Sequence, residues 1–233
     1  MFGELIPRGT AAKGLMTALE SALALTFPPG HSMRNAALVL WRARNFTVRI
    51  RFSSRHMRVW TDVVTNRPPV WLDEDGKIRE GVPEGDVDAR AAGMTIARWE
   101  KPHRSPLAGK LTILIDGTNV VRSPARFLSI WIHEFTHALV ANESANETKR
   151  ARAAGEIEPT QMRTWAVESD EELAYSVQRD FLDRLEAYAQ HIGFESGDEV
   201  AATWITQCAR EDGEFARWLK SQLDAAGVRH DLP

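Results

Sequence analysis

Apolar positions near the start of the chain repeat first at helical and then at strand spacing. Between residues 10 and 26, Met16 and several leucines recur every three or four positions, which predicts a helix ended by Pro28-Pro29-Gly30. In the second half of residues 37–52, apolar and polar side chains alternate with a period of two. This alternation is typical of a half-buried strand, so we predict a strand across that stretch.

Several short runs later in the chain predict further strands. Residues 59–61 form one such run, and residues 70–72 and 77–79 flank a glycine-containing loop as in a hairpin. Residues 111–116, all apolar except Thr112 and Asp116, predict a well-buried strand that ends at a turn.

Three helical segments dominate the rest of the chain. The first is predicted to begin at Ser123-Pro124, a favourable N-cap followed by proline, and to end near Asn142. The second is predicted to begin near Ser169, which forms a capping box with Glu172, and to end near residue 190. Residues 197–226 predict helix with a break near Gly213. The polar stretch 143–163 between the first two segments is compatible with a loop or a loose helix.

The order of elements predicts an α+β fold in a single domain of 233 residues. We divide it into an N-terminal helix and strands (1–110), a core (111–190) and C-terminal helices (191–233). Its 43% hydrophobic and 26% charged residues are ordinary for a globular protein.

The cysteine content and the net charge exclude some kinds of structural site and favour no particular kind of partner. The lone Cys208 excludes a disulfide framework within the chain and a cysteine-based zinc site. The net charge of -3 does not by itself demand a polyanionic partner. We recognise neither a signal peptide nor an apolar run of 18 residues, so we expect a cytoplasmic protein with no membrane segment.

The run His133-Glu134-Phe135-Thr136-His137 lies inside the first of these helical segments. Two histidines four residues apart share one helix face, so both imidazoles can point at one metal ion. Glu134 projects beside that ion and can take a proton from water that the ion activates. This arrangement predicts a zinc-dependent hydrolase.

The segment 130–140, IWIHEFTHALV, resembles the active-site helix of the zincin metallopeptidases. The resemblance extends over residues 111–190 at most. It implies that His133 and His137 bind Zn²⁺, that Glu134 is the base, and that the substrate is a peptide or protein. It also implies a zincin-like domain, with a small mixed sheet packed on this helix. We take residues 111–116 as the candidate strand to which a peptide substrate adds.

The subgroups of the zincins differ in their third metal ligand. Val140 and Glu143 occupy the positions where metzincins carry glycine and histidine, so that pattern is broken. The gluzincins take a glutamate from a later helix, followed by a small residue three positions on. That rule selects Glu171, which Ala174 follows.

Helical periodicity leaves other acids open as the third ligand. Relative to Phe181 on the apolar face, Glu171 lies about 80° away, Asp170 about 20° and Glu168 about 140°. Glu171 is the glutamate nearest that face, while Asp170 is closer still. We therefore predict Glu171 as the ligand, with Asp170, Glu168 and Glu143 as alternatives.

Tyr175 stands where the best-known gluzincins carry an aspartate that orients a ligand. Its hydroxyl is a candidate donor to the developing oxyanion, and simple packing is the alternative. Orientation of the ligands would then come from a backbone carbonyl or from Asp170.

Seven arginines and no acid lie between His31 and Trp60. This stretch, Arg34–Arg58, indicates either a solvated strand face or a docking surface for nucleic acid or an acidic partner. Two alternatives to a peptidase therefore stay open: a non-catalytic protein stabilised by zinc, and a nucleic-acid-associated protein.

Overall fold

The computed structural model describes residues 14–42, 46–51, 70–72, 78–80, 93–97, 111–117, 119–156 and 167–230. The helices in these ranges are α1 (Met16–Thr26), α2 (Arg34–Arg42), α3 (Asn119–Arg122), α4 (Pro124–Ala153), α5 (Val167–Ile192), α6 (Gly197–Glu211) and α7 (Gly213–Ala225). The strands are β1 (Phe46–Arg51), β2 (Val70–Leu72), β3 (Ile78–Glu80), β4 (Gly93–Ala97) and β5 (Leu111–Asp116). The strand predicted at residues 59–61 lies outside the described residues.

The protein is mainly helical, and the predicted α+β fold class is wrong. Most of the described residues lie in helices, and only a small share of them lie in strands. The two longest helices have 30 and 26 residues, whereas no described strand exceeds six. The period-2 patterns are thus too short to define the fold, and helices supply most of the core.

The strands matter because they cover one side of α4. Three of them pair in the order β1-β5-β4, with β1 parallel and β4 antiparallel to β5. Val48 and Ile50 of β1 pair with Ile113 and Ile115 of β5, and all four side chains are buried. Both β4 and β5 contact α4. Strands β2 and β3 form a separate antiparallel pair.

Helix α4 is the centre of the core. It contacts α1, α2, α3, α5 and α6 as well as β4 and β5, and every residue from 127 to 136 is buried. Trp131 is fully buried, and its ring centroid lies 5.8 Å from that of Trp41 on α2 and 5.2 Å from that of Phe135. Its indole N–H donates to the backbone oxygen of Leu19, 3.3 Å away on α1. A helix that is apolar around most of its circumference requires such surroundings.

Two predicted boundaries are wrong around α2 and α4. Residues 34–42 are helical, and the described part of the strand predicted over 37–52 is Phe46–Arg51. Ala37, Leu40 and Trp41 are the buried residues of α2, at the three- and four-residue spacing of a helix rather than at alternate positions.

The end predicted for α4 near Asn142 is also too early, because the helix continues to Ala153. Gly155 then adopts φ +71°, and the N–H of Glu156 donates to the oxygen of Ala151 at 2.9 Å. This is the glycine-based C-terminal motif in which the backbone turns left-handed. The polar stretch that follows Asn142 is therefore helical over its first eleven residues, up to Ala153.

The later helices lie close to their predicted positions. Helix α5 begins at Val167, two residues before Ser169. The predicted break near Gly213 is present, since α6 ends at Glu211 and α7 begins at Gly213. The Asp212 carboxylate caps α7 by accepting from the N–H groups of Glu214 and Phe215, each at 3.0 Å.

Candidate metal centre

Two successive turns of α4 present His133 and His137 on the same face. Their Nε2 atoms lie 3.0 Å apart, and the ring centroids are 4.7 Å apart. His133 is only 8% exposed, because the apolar residues around it bury this part of α4. The spacing of four residues has thus brought the two imidazole nitrogens to one point, as the sequence predicts.

Glu171 on α5 completes the group. Helices α4 and α5 pack antiparallel, because Gln178, about two turns after Glu171, donates from its amide to the hydroxyl of Ser129, about one turn before His133, at 3.0 Å. Glu171 Oε1 lies 3.4 Å from His137 Nε2, and its Oε2 lies 3.4 Å from His133 Nε2.

The separations among these atoms suit a tetrahedral metal ion. Ligands at about 2.0–2.1 Å from zinc are about 3.3 Å from one another in tetrahedral geometry. The nitrogen–nitrogen distance of 3.0 Å and the nitrogen–oxygen distances of 3.4 Å bracket that value. The group His133, His137 and Glu171 could therefore hold a metal ion.

The alternative third ligands are placed differently. Asp170 Oδ2 lies 3.0 Å from Nδ1 of His137, the ring nitrogen away from the cluster. Glu143 lies within 3.5 Å of Asn146 and 4.0 Å of Arg150, and it does not belong to the cluster. The side chain of Glu168 lies outside the described residues.

The charges around the cluster favour the ionised, metal-binding form of Glu171, whereas they favour the protonated form of His137, whose proton a metal ion would have to displace. Burial raises the pKa of Glu171, but its contacts with His133 and His137 outweigh this and hold that pKa well below its ordinary value. The carboxylate is consequently ionised at neutral pH, as a metal ligand must be. Burial lowers the pKa of His137, but contacts with Asp170 and Glu171 raise it overall.

Glu134 is a buried carboxyl group directly beside the cluster. It is 5% exposed, and its Oε2 accepts a hydrogen bond from Thr95 Oγ1 of β4 at 2.9 Å. Burial raises the pKa of Glu134, whereas the nearby His137 and His133 and the bond from Thr95 lower it. A buried acid with a raised pKa next to a candidate metal site is typical of a group that transfers protons.

The sequence interpretation did not identify Thr95. Thr95 lies 39 positions before Glu134, in a strand of five residues whose pattern is too short to be recognised. No local motif connects the two residues, so only the packing of β4 on α4 reveals the contact.

Tyr175 packs against the first histidine. Its ring centroid lies 4.4 Å from that of His133, with the planes at 59°. Burial, together with the negative charges of Glu171 and Glu134, raises the pKa of Tyr175 to about 12. The phenol is thus protonated at neutral pH, so it both packs on a candidate ligand and retains a proton to donate.

Only part of the arginine stretch is described. The guanidinium of Arg34 donates to the backbone oxygen of Phe27, which ties α2 to the end of α1. The side chains of the arginines after Arg42 lie outside the described residues. The nucleic-acid hypothesis stays a prediction.

Comparison with protein-family models, curated proteins and solved structures finds no match to this chain. The resemblance to zincins therefore rests on the sequence motif alone and stays a prediction, while the structure shows a His133, His137 and Glu171 group that could hold a metal ion. Among the described helices, none is long and apolar enough to cross a lipid bilayer.

Asp170 is expected to tune metal affinity by orienting His137. Carboxylates that accept from a ligating histidine fix its ring and increase its basicity, and their loss costs roughly 10- to 100-fold in metal affinity. We expect Asp170→Ala to weaken zinc binding by that factor, measured by competition with a chromogenic chelator. The control is Asp183→Ala, which removes an exposed aspartate from the same helix. Equal affinity in both variants would contradict this role.

Proposed function

We propose that this protein is a zinc-dependent hydrolase that cleaves peptide bonds. The observation that carries the proposal is the position of Glu134, a buried carboxyl group adjacent to a His133, His137 and Glu171 cluster that could hold a metal. A site that served stability alone would have no use for a buried acid beside the metal ligands, because burying an ionisable group is costly.

The donor set favours zinc as the metal. Two imidazole nitrogens and one carboxylate oxygen match a catalytic zinc site, which has three protein ligands and keeps a fourth position open. A zinc ion bound there would supply Lewis acidity, polarising a carbonyl oxygen and lowering the pKa of water.

The chain's own residues would then carry the proton transfers. Glu134 would accept a proton from the attacking water and deliver it to the leaving nitrogen. Tyr175, whose ring packs on His133, would donate a hydrogen bond from its hydroxyl to the oxygen that becomes negatively charged. Asp170 would hold His137 by accepting from Nδ1.

A peptide substrate would pair with β4 rather than with residues 111–116. The sequence prediction that a substrate adds to residues 111–116 is wrong, because β5 is paired on both edges, by β1 and β4. Strand β4 has one edge without a partner among the described strands, and Thr95 places it next to Glu134. Main-chain hydrogen bonds along that edge would fix an extended peptide across the site.

Metal content tests the proposal first. We expect about one zinc per chain in purified protein and its loss in His137→Ala and Glu171→Gln, because two remaining ligands hold zinc weakly. Elemental analysis after gel filtration measures this, and Glu172→Gln, which changes the exposed neighbour of Glu171, is the control.

Each outcome has a defined meaning. Zinc retained by Glu171→Gln would exclude Glu171 as a ligand. Protein that takes up no metal even when zinc is supplied would contradict the hydrolase. Zinc bound without any hydrolysis of peptide libraries would favour a protein that the metal only stabilises.

A further inference from the structure

The hydroxyl of Thr95 makes two contacts to one residue of α4. Thr95 Oγ1 lies 2.9 Å from Oε2 of Glu134 and 2.6 Å from the backbone oxygen of the same residue. A threonine hydroxyl has a single proton, so it is shared between these two acceptors. The contact therefore ties both the side chain and the main chain of Glu134 to β4.

Thr95 is itself held firmly. It pairs with Ile113 of β5 in the antiparallel ladder, and Ile113 is fully buried. A β-branched side chain has few rotamers, so its hydroxyl has a defined direction once the backbone is fixed. A glutamate, in contrast, has three side-chain torsions and needs an external contact to fix its carboxylate.

We infer that Thr95 is a positioning residue that holds the carboxylate of Glu134 in its reactive orientation. The inference rests on the proposed hydrolase function. Catalytic groups must be kept within a fraction of an ångström of their productive position by neighbours whose own conformations are fixed. Thr95 meets this requirement from the strand along which the substrate is proposed to lie.

The test compares two substitutions that differ by one hydroxyl group. Thr95→Val keeps the shape and removes the donor, and Thr95→Ser keeps the donor. We expect Thr95→Val to lower kcat by about 10- to 100-fold, with KM and zinc content unchanged, because a misplaced base slows the chemical step. Thr95→Ser is expected to recover most of kcat. Thr203→Val, which removes an exposed threonine hydroxyl from α6, is the control.

A thermodynamic cycle tests the contact without relying on activity. Urea unfolding of wild type, Thr95→Val, Glu134→Ala and the double variant measures the coupling between the two side chains, because Glu134→Ala removes the carboxylate that accepts the bond. We expect non-additive unfolding constants, differing by more than about twofold, because groups in contact are coupled. Additive effects, or a wild-type kcat in Thr95→Val, would overturn the inference. Inactive wild-type protein would contradict the hydrolase alone, and the cycle would still decide whether Thr95 holds Glu134.

Discussion

Replacement of Glu134 by glutamine is expected to lower kcat/KM for peptide hydrolysis by about 10²- to 10⁴-fold, the usual contribution of a general base. Glutamine keeps the length of the side chain and its bond from Thr95 but cannot accept a proton at neutral pH. The His133, His137 and Glu171 group is unchanged in this variant, so we expect zinc content to be unchanged.

The measurement combines steady-state hydrolysis of a peptide substrate with elemental analysis of the same preparations. Glu172→Gln, an exposed substitution of the same type on α5, is expected to retain activity. Full activity in Glu134→Gln would contradict its role as the base. Loss of activity together with zinc would instead assign Glu134 a role in metal retention.

The part of the site that lies on one helix could be predicted from the sequence. His133, Glu134 and His137 fall within five consecutive residues, so helical geometry alone brings the two imidazoles together. Glu171 comes from a separate helix, and periodicity could only rank it among several acids. The packing of α5 on α4 was needed to place Glu171 at the Nε2 atoms and Asp170 at Nδ1.

Neither the fold class nor the contact of Thr95 with Glu134 could be predicted from the sequence. Both depend on contacts between segments distant in the chain. Residues 37–41 are all apolar, so their sequence carries no polar face that would indicate a helix. Trp41 is nevertheless part of helix α2, where it packs against Trp131. Local patterns predict element types, but tertiary contacts decide which competing pattern prevails.

The packing of Trp131 against Trp41 predicts the largest effect of a substitution on stability. Trp131 is fully buried where α1, α2 and α4 meet, against Trp41 and Phe135. Trp131→Ala is expected to lower the free energy of unfolding by about 3–5 kcal/mol, because it leaves a cavity among fixed neighbours. It also removes the donor to the oxygen of Leu19. Urea unfolding followed by circular dichroism measures the change.

A matched comparison separates this cavity from a general effect of losing tryptophan. Trp204 is only partly buried, and its ring contact is with the exposed Tyr188 at 6.2 Å between centroids. We expect Trp204→Ala to cost less than half as much. A typical domain is stable by about 5–15 kcal/mol, so a loss of about 3–5 kcal/mol could unfold the alanine variant. In that case Trp131→Phe, which leaves a smaller cavity, is measured in its place. If Trp131→Ala lowers the free energy of unfolding no more than Trp204→Ala does, then Trp131 is not needed to hold α1 and α2 against α4.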